Sequence, residues 1–328
     1  MPIDIALTTL AVPLAEFPAI AREAESRGYR AAWVGEASGA EAIALSTLIA
    51  THTSSMQIAN GVIPVQTRTP VVYGQAAATL AHVAPGRFAL GLGLSSDIIV
   101  GQWHGLPFAP SIQQMREAVQ IIRMTAAGER VNFDGRFYRL KNFRLAIPPP
   151  SPAPRIYLAA LGPRMCELAG EMADGVLLNW IPPAAMAASI ARVEAGANRA
   201  GRSLADVDVC VYVRTCVTDE QEPAREALAR DITGYAIVNA YARFFADCGF
   251  AEEVESVNTA WKSGDRAGAV KGISERVLDG LGAVGPADAC RAQLDAFRRS
   301  GATPVVLPFA PPGPSARASM LGTFRAFP

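Results

Sequence analysis

The sequence has no surplus of charge and few of the residues that build metal sites. It contains 30 Lys and Arg against 30 Asp and Glu, which gives a formal net charge of zero. Without a positive surplus to attract phosphate backbones or anionic lipid, neither nucleic acid nor a membrane is expected as a partner. The three histidines form no H-x-x-x-H or H-E-x-x-H pattern, so no transition-metal site is predicted.

Paired cysteines and long apolar runs are also missing. None of the five cysteines belongs to a C-x-x-C pair, which argues against a disulfide framework or a zinc knuckle. No stretch reaches the roughly 18 uninterrupted apolar residues of a membrane span, and the first residues lack the pattern of a signal peptide. We therefore expect a cytoplasmic protein with reduced thiols.

Three catalytic signatures are weak or absent. The chain has no G-x-x-x-x-G-K-[ST] loop and no G-x-S-x-G elbow, which excludes a P-loop and gives serine hydrolysis no support. Residues 91–96, GLGLSS, look like a dinucleotide fingerprint, but Ser96 replaces the third glycine. Since no helix is expected directly after this run, a Rossmann site is poorly supported.

What the sequence does have is hydrophobic residues, 50% of the chain, in short runs that alternate with segments of helical period. This alternation is typical of successive βα units. Eight strands are predicted, at residues 3–8, 31–35, 57–62, 87–92, 155–159, 175–179, 208–213 and 303–307. Eight strands favour a single (β/α)8 TIM barrel over residues 1–328, with a two-domain Rossmann protein as the main alternative.

Two stretches interrupt the alternation. Within about 127–150, Asp134 and Gly135 predict the turn of a hairpin inserted after helix 4. Within about 218–285 the pattern is wholly helical with scattered aromatic residues, which predicts a helical insertion after strand 7. We expect this insertion to cover the mouth of the barrel.

The active site of such a barrel lies at the carboxyl ends of its strands. After strand 5, Gly162 turns the chain and Pro163 begins a helix. The free N–H groups of that first turn attract a phosphate, and the Arg164 guanidinium adds a charge-assisted bond. An ordinary βα turn with a surface arginine is the alternative interpretation.

No acid–base pair of recognisable spacing is present, so single residues near strand ends are the candidates. Glu36 follows strand 2, and Ser95 and His104 follow strand 4. Each is a candidate proton donor, and Glu36 is also a candidate cofactor ligand. The alternatives are a solvated loop glutamate and a histidine that only packs within its loop.

Motifs along nearly the whole chain resemble the luciferase-like monooxygenase superfamily. They are GYRAAWV at 28–34, NGVIP at 60–64, TRTP at 67–70, PGRFALGLG at 85–93, ALGPRM at 160–165 and ADG at 173–175. The resemblance is closest to the branch that uses the deazaflavin coenzyme F420, which includes methylenetetrahydromethanopterin reductase. It also implies a homodimer or larger oligomer.

The resemblance implies that the cofactor ring lies across the barrel mouth, against a bulged third strand with a cis peptide at Gly61-Val62. The phosphate would lie at Gly162, Pro163 and Arg164. In full, the implied cofactor-binding residues are Thr8, Gly61, Val62, Gly93, Ser96, Ala160, Gly162, Pro163, Arg164 and Met165. FMN-using relatives tend to carry a G-S-S turn at the phosphate, where this chain has Leu-Gly-Pro, so F420 is favoured and FMN is the alternative.

Alcohol and sugar-phosphate dehydrogenases of the F420 branch use a histidine and a glutamate where this chain has Ala37 and Ser96. The expected reaction is therefore hydride transfer to an activated C=C or C=N bond of a small organic substrate. An FMN-dependent monooxygenase and a non-catalytic flavin-binding protein are the alternatives. Gly61→Val is expected to harm cofactor binding more than folding.

Overall fold

In the computed structural model, which describes residues 2–109 and 111–328, eight parallel strands close into a barrel. The barrel strands are β1 (Asp4–Ala6), β2 (Ala31–Val34), β3 (Gln57–Asn60), β5 (Phe88–Gly93), β8 (Arg155–Ala160), β9 (Gly175–Asn179), β10 (Asp208–Val217) and β12 (Thr303–Pro308). The other strands are β4 (Ile63–Pro64), β6 (Val131–Asp134), β7 (Arg139–Phe143) and β11 (Gly282–Gly285). Strand β10 pairs with β9 and β12, and β12 pairs with β1, which closes the ring and confirms the predicted TIM barrel.

Helices surround the barrel and form most of the segment after β10. They are α1 (Phe17–Arg27), α2 (Ala42–His52), α3 (Pro70–Val83), α4 (Ile112–Ala126), α5 (Pro163–Met172), α6 (Met186–Arg199), α7 (Gln221–Ala236), α8 (Asn239–Phe245), α9 (Ala251–Lys262), α10 (Arg266–Lys271), α11 (Glu275–Leu281), α12 (Ala287–Arg299) and α13 (Ala316–Arg325). Two π-helical segments cover Ile98–Trp103 and Ala246–Phe250, and short 3-10 turns cover Leu7–Thr9, Leu14–Glu16, Pro183–Ala185 and Leu204–Asp206. Within the described part of the chain, no helix combines the length and apolarity needed to cross a membrane.

The helix ends follow the signals in the sequence. The Thr69 side chain accepts a hydrogen bond from the Val72 N–H, with Pro70 at the first helical position of α3. The backbone of Gly28 ends α1 in the left-handed region at φ 89°. Few other residues satisfy those backbone groups at the same low cost.

The third barrel strand is interrupted. The strand predicted at 57–62 ends at Asn60 as β3, and β4 begins at Ile63. The Gly61-Val62 peptide is cis, and β4 resumes the pairing beside β5. Glycines of β5 leave room for this bulge, because a Cβ on Gly91 would lie 1.8 Å from the Asn60 carbonyl oxygen and one on Gly93 2.6 Å from Val62 Cγ2. The bulge and the cis peptide implied by the resemblance are confirmed.

Three local predictions need correction. The segment 218–285 is not wholly helical, because Gly282–Gly285 forms β11 beside the upper half of β10. The seventh barrel strand extends to Val217, four residues beyond the predicted end at 213, because β11 and β12 both offer it backbone partners. A π-helical segment, Ile98–Trp103, follows β5 closely where no helix was expected. The hairpin predicted within 127–150 is present as antiparallel β6 and β7.

Candidate functional site at the carboxyl end of the barrel

The backbone of the bulge lies inside the barrel, supported from below by aromatic side chains. The Tyr212 hydroxyl donates a hydrogen bond to the Gly61 carbonyl oxygen at 2.6 Å. A Cβ on Gly61 would lie 2.0 Å from that hydroxyl oxygen and 2.8 Å from Trp33 Cε3. Gly61 is therefore required by the packing of the lumen itself, and a Gly61→Val change is expected to harm folding as well as binding, contrary to the expectation from sequence.

Several of the predicted cofactor-binding residues meet around this bulge. Thr8, in the turn after β1, accepts a hydrogen bond from the Gly35 N–H through Oγ1 at 3.3 Å. The Val62 carbonyl oxygen accepts a bond from the Glu36 N–H at 3.3 Å. Gly93 ends β5 beside Val62, with Ser96 shortly after it, and buried Ala160 ends β8. The ends of five strands thus present small side chains and backbone around one opening, which suits close approach of a flat ring.

The beginning of α5, where the sequence predicted a phosphate site, is open to solvent. Gly162 precedes the helix with no side-chain cap, and a Cβ on it would meet no atom within 4 Å. The Arg164 side chain is exposed and makes no ion pair with any residue that the structure describes. The Met165 side chain is instead buried in the core, and its N–H already donates to the Gly162 carbonyl oxygen at 3.1 Å. A helix terminus with unsatisfied N–H groups and a nearby free guanidinium attracts phosphate.

Glu36 is held as a carboxylate at the rim. Arg68 donates from Nη1 to Oε1 at 2.7 Å and from Nη2 to Oε2 at 2.8 Å, and the Ala42 N–H donates to Oε2 at 2.9 Å. Burial acts to raise the pKa of Glu36, but these hydrogen bonds lower it below its usual range. This arrangement favours an ionised residue that orders the loop after β2, and its role as proton donor stays a prediction.

The other two candidate donors lie in the open segment after β5. Ser95 is exposed, with its backbone in the left-handed region at φ 61°. His104 is exposed just after the π-helical segment, within electrostatic range of Glu36. Neither side chain forms a hydrogen bond with another described residue, so both remain free to meet a substrate and both assignments stay predictions.

A further group of polar side chains at the mouth was missed from sequence. We call Asn179, Trp180, Arg214 and Asp231 the Arg214 cluster. Arg214 is 5% exposed, donates from Nη1 to Asn179 Oδ1, and stacks its guanidinium 3.6 Å from the centre of the Trp180 ring. Asp231, on α7, places Oδ2 3.5 Å from Arg214 Nε. The sequence signal was an arginine within an apolar run, just beyond the predicted end of the seventh strand.

The Arg214 cluster contains buried hydrogen-bond donors that have no acceptor within the described structure. The buried Nε of Arg214 and Nε1 of Trp180 donate no hydrogen bond to any described atom. Burial raises the pKa of Asp231, and the adjacent Arg214 opposes that shift. Tyr235 continues an aromatic wall, with its ring centre 5.1 Å from that of Trp180. Buried donors without partners are uncommon in folded proteins, so this cluster is a candidate ligand site.

No group of three or more His, Cys, Asp and Glu side chains able to hold a metal ion occurs among residues 2–109 and 111–328.

Comparison with known proteins gives a consistent result. The family model of the luciferase-like monooxygenases matches residues 2–304. Similar proteins include 5,10-methylenetetrahydromethanopterin reductase of Archaeoglobus fulgidus, 27% identical over 303 residues, and that of Methanolobus tindarius, 26% identical over 297 residues, with 90% of both chains covered in each case. Among solved structures, coenzyme F420-dependent tetrahydromethanopterin reductase from Methanopyrus kandleri superposes with a TM-score of 0.82 at 23% identity, over 99% of this chain and 98% of that one.

Proposed function

The chain belongs to the luciferase-like monooxygenase family, and we propose that it transfers a hydride between the deazaflavin coenzyme F420 and a small organic substrate. The observation that carries this proposal is the open, uncapped beginning of α5, which follows β8 at the same end of the barrel as the bulged strand. It would provide a phosphate site near a flat, small-residue surface. The similar reductases named for tetrahydromethanopterin, one of them described as F420-dependent, support the choice of cofactor.

The residues at the mouth fit such a cofactor. The backbone at Gly61 and Val62, with Thr8, Gly93, Ser96 and Ala160 around it, would hold the ring. The N–H groups of Gly162 and Arg164 and the Arg164 guanidinium would hold the phosphate. Pro163 has no N–H, and the N–H groups of Met165 and Cys166 donate to the Gly162 carbonyl oxygen. When bound, the deazaflavin supplies a hydride equivalent, and the protein's contribution is to orient the substrate, exclude water and manage one proton.

The substrate proposed is a small molecule with an activated C=C or C=N bond. The structure supplies no histidine in hydrogen-bonding contact with a carboxylate at the mouth, within the described residues, that would support alcohol oxidation. A reduction needs fewer proton-transfer groups than an oxidation that must deprotonate a hydroxyl. The predicted homodimer and cytoplasmic location belong to the same proposal.

The experiment that tests this function is a pair of absorbance and fluorescence titrations of the apoprotein, one with F420 and one with FMN. Saturable binding of F420 with weak or no binding of FMN is the expected result. Preference for FMN, with oxygen consumption by the reduced protein, would favour the monooxygenase alternative. Binding of F420 without reoxidation by any substrate of a broad panel would favour a non-catalytic cofactor-binding protein.

A further inference from the structure

Arg214 is a buried cation one layer above the bulged strand. Residues i and i+2 of a strand face the same side and lie about 6.6 Å apart. Tyr212 faces the lumen and contacts the Gly61 carbonyl oxygen at 2.6 Å. Arg214 therefore points to the same side, nearer the opening, where a substrate resting on a ring at Gly61 and Val62 would lie.

The guanidinium is positioned but only partly satisfied. Asn179 accepts one bond from Nη1, the Trp180 ring fixes the guanidinium plane at 3.6 Å, and Nε has no hydrogen-bond acceptor among the described atoms. The nearest carboxylate oxygen, on Asp231, is 3.5 Å from Nε. Because an unsatisfied buried donor costs free energy, an incoming oxygen atom would be bound strongly here.

We propose that Arg214 binds the carbonyl oxygen of an α,β-unsaturated carbonyl substrate and that Asp231 donates the proton that completes its reduction. This inference rests on the proposed function, because the hydride comes from the reduced deazaflavin. The hydride forms a C–H bond at the β carbon, and the C=C electron pair moves toward the oxygen held by Arg214. The α carbon then takes the proton of the Asp231 carboxyl group, which leaves a saturated carbonyl compound, the oxidised cofactor and an Asp231 carboxylate.

The charge of the Arg214 cluster distinguishes between the two bond types that the sequence left open. An oxygen that gains negative charge during hydride transfer is stabilised by a fixed cation in a site of low polarity. A cationic C=N bond beside the same guanidinium would be destabilised by like-charge repulsion, weakly screened because Arg214 is 5% exposed. The geometry therefore favours a conjugated C=C bond.

The carboxyl groups of Glu36 and Asp231 differ in how readily each can hold a proton. Both Glu36 oxygens are bound by Arg68, and the pKa of Glu36 is lowered. Burial raises the pKa of Asp231, while 48% of its side chain is exposed, which gives a route for reprotonation from water. The groups in electrostatic contact with Asp231 are Arg214 from β10 and Tyr241 from α8, and Tyr241 in turn contacts Tyr235 of α7.

The test uses protein loaded with reduced F420, with 4-phenylbut-3-en-2-one as the enone and N-methyl-3,4-dihydroisoquinolinium as the cationic C=N compound. The wild type should reduce the enone in preference to the iminium. Arg214→Met should lower kcat/KM for the enone by about 10²- to 10³-fold, as expected for loss of a group that stabilises an oxyanion. Arg214→Lys keeps the charge, so its kcat/KM for the enone should lie between those of the wild type and Arg214→Met.

The Asp231→Asn variant tests the proton donor through its pH profile. In the wild type, kcat/KM for the enone should fall as pH rises through the pKa of Asp231, since the protonated form acts. In Asp231→Asn the rate should drop by about 10²-fold or more and this fall should disappear. A variant that keeps the wild-type rate and profile would refute the assignment of Asp231.

A binding readout without cofactor separates this inference from the proposed function. Calorimetric titration of the apoprotein with 4-phenylbut-3-en-2-one should show affinity at least about tenfold weaker in Arg214→Met, a difference of about 1.4 kcal/mol. The matched control is Arg230→Met, since exposed Arg230 neighbours Asp231 on α7 and, among the described residues, forms an ion pair only with Glu226. Unchanged enone binding in Arg214→Met, preferred reduction of the iminium, or no enone reduction by F420-loaded wild type would each overturn the inference. Failure to bind F420 while enone binding still depends on Arg214 would count against the proposed function instead.

Discussion

The two ends of the barrel use buried charge in opposite ways. At the amino end, Asp4 is fully buried and accepts hydrogen bonds from Arg30 Nε and Nη2 and from Trp33 Nε1, at 2.7 to 2.8 Å. Arg30 also binds Asp208 at 2.8 Å. At the carboxyl end, the buried guanidinium of Arg214 keeps Nε unsatisfied within the described structure. The paired charges close the base of the barrel, whereas the incompletely paired ones are available to a ligand.

The amino end of the barrel has a large surface depression, but its charged groups already have hydrogen-bond partners. An open depression of about 500 Å³ lies at the amino end, lined among others by Arg155, Asp206 and Asp208. Its most buried charge, Asp208, is already engaged by Arg30 and by the Tyr157 hydroxyl at 2.7 Å. The buried donors without an acceptor, Arg214 Nε and Trp180 Nε1, lie instead at the carboxyl end.

The strongest test of this comparison is Arg30→Met at the amino end. Removing the guanidinium leaves the buried Asp4 carboxyl without its counter-charge, which should lower the free energy of unfolding by about 3 to 5 kcal/mol. Urea unfolding followed by circular dichroism measures the loss. The control, Arg325→Met, breaks a more exposed pair with Glu23 and should cost at most about 1 kcal/mol. Equal losses in the two variants would contradict the structural role of the amino end.

At the carboxyl end, Arg164→Ala should change binding and leave folding unaltered. Loss of one charge-assisted bond to the cofactor phosphate should cost about 1.5 to 3 kcal/mol, or roughly a ten- to hundredfold rise in Kd. Because Arg164 is exposed and unpaired in the described structure, the unfolding midpoint should not move. At saturating cofactor, single-turnover hydride transfer should stay close to wild type. Tight binding retained by the variant would put the phosphate elsewhere.

Two glycines at the carboxyl end give a matched pair of alanine substitutions. Gly61→Ala places a methyl group against Tyr212 and Trp33 and should lower the free energy of unfolding by about 1 to 3 kcal/mol. Gly162→Ala places its methyl group in open space and should alter stability by less than about 0.5 kcal/mol while weakening F420 binding. Thermal unfolding and cofactor titration of both proteins check this. The reverse order of destabilisation would show that the lumen tolerates the added methyl group.

The smallest effect concerns pH at the amino end. Burial acts to raise the pKa of Glu25, but the N–H groups of Ser55, Met56 and Ser54 lower it to about 2. A carboxyl group with a lowered folded pKa stabilises the protein above its unfolded pKa near 4.5 and loses this contribution as pH falls toward 2. Glu25→Gln should therefore cost about 1 kcal/mol at pH 7, and the difference should shrink in acid. Urea unfolding at pH 7 and pH 3 measures it, and a difference that grows in acid would contradict the assignment.

The sequence predicted the barrel well because eight apolar runs with regular spacing allow few other arrangements. It predicted the bulge through the resemblance, at a glycine that the lumen requires. It missed the Arg214 cluster for two physical reasons. Arg214 lies one residue beyond the end of the predicted strand, and the pairing with β11 and β12 extends β10 that far. Asp231 lies on a helix whose approach to Arg214 depends on how the segment 218–285 folds back over the mouth.

The strand β10 changes its neighbour halfway along. Its first residues pair with β9, from Asp208 beside Gly175 to Tyr212 beside Asn179, and its last ones pair with β11, from Arg214 beside Gly282 to Val217 beside Gly285. The Thr218 N–H also bonds the Gly285 carbonyl oxygen at 2.9 Å. The segment between Thr218 and Gly285 thus leaves and rejoins the barrel at the same place, where β10 pairs with β11. We therefore expect that changing the length or sequence of this segment alters the cover of the mouth while the pairing of the barrel strands stays in place.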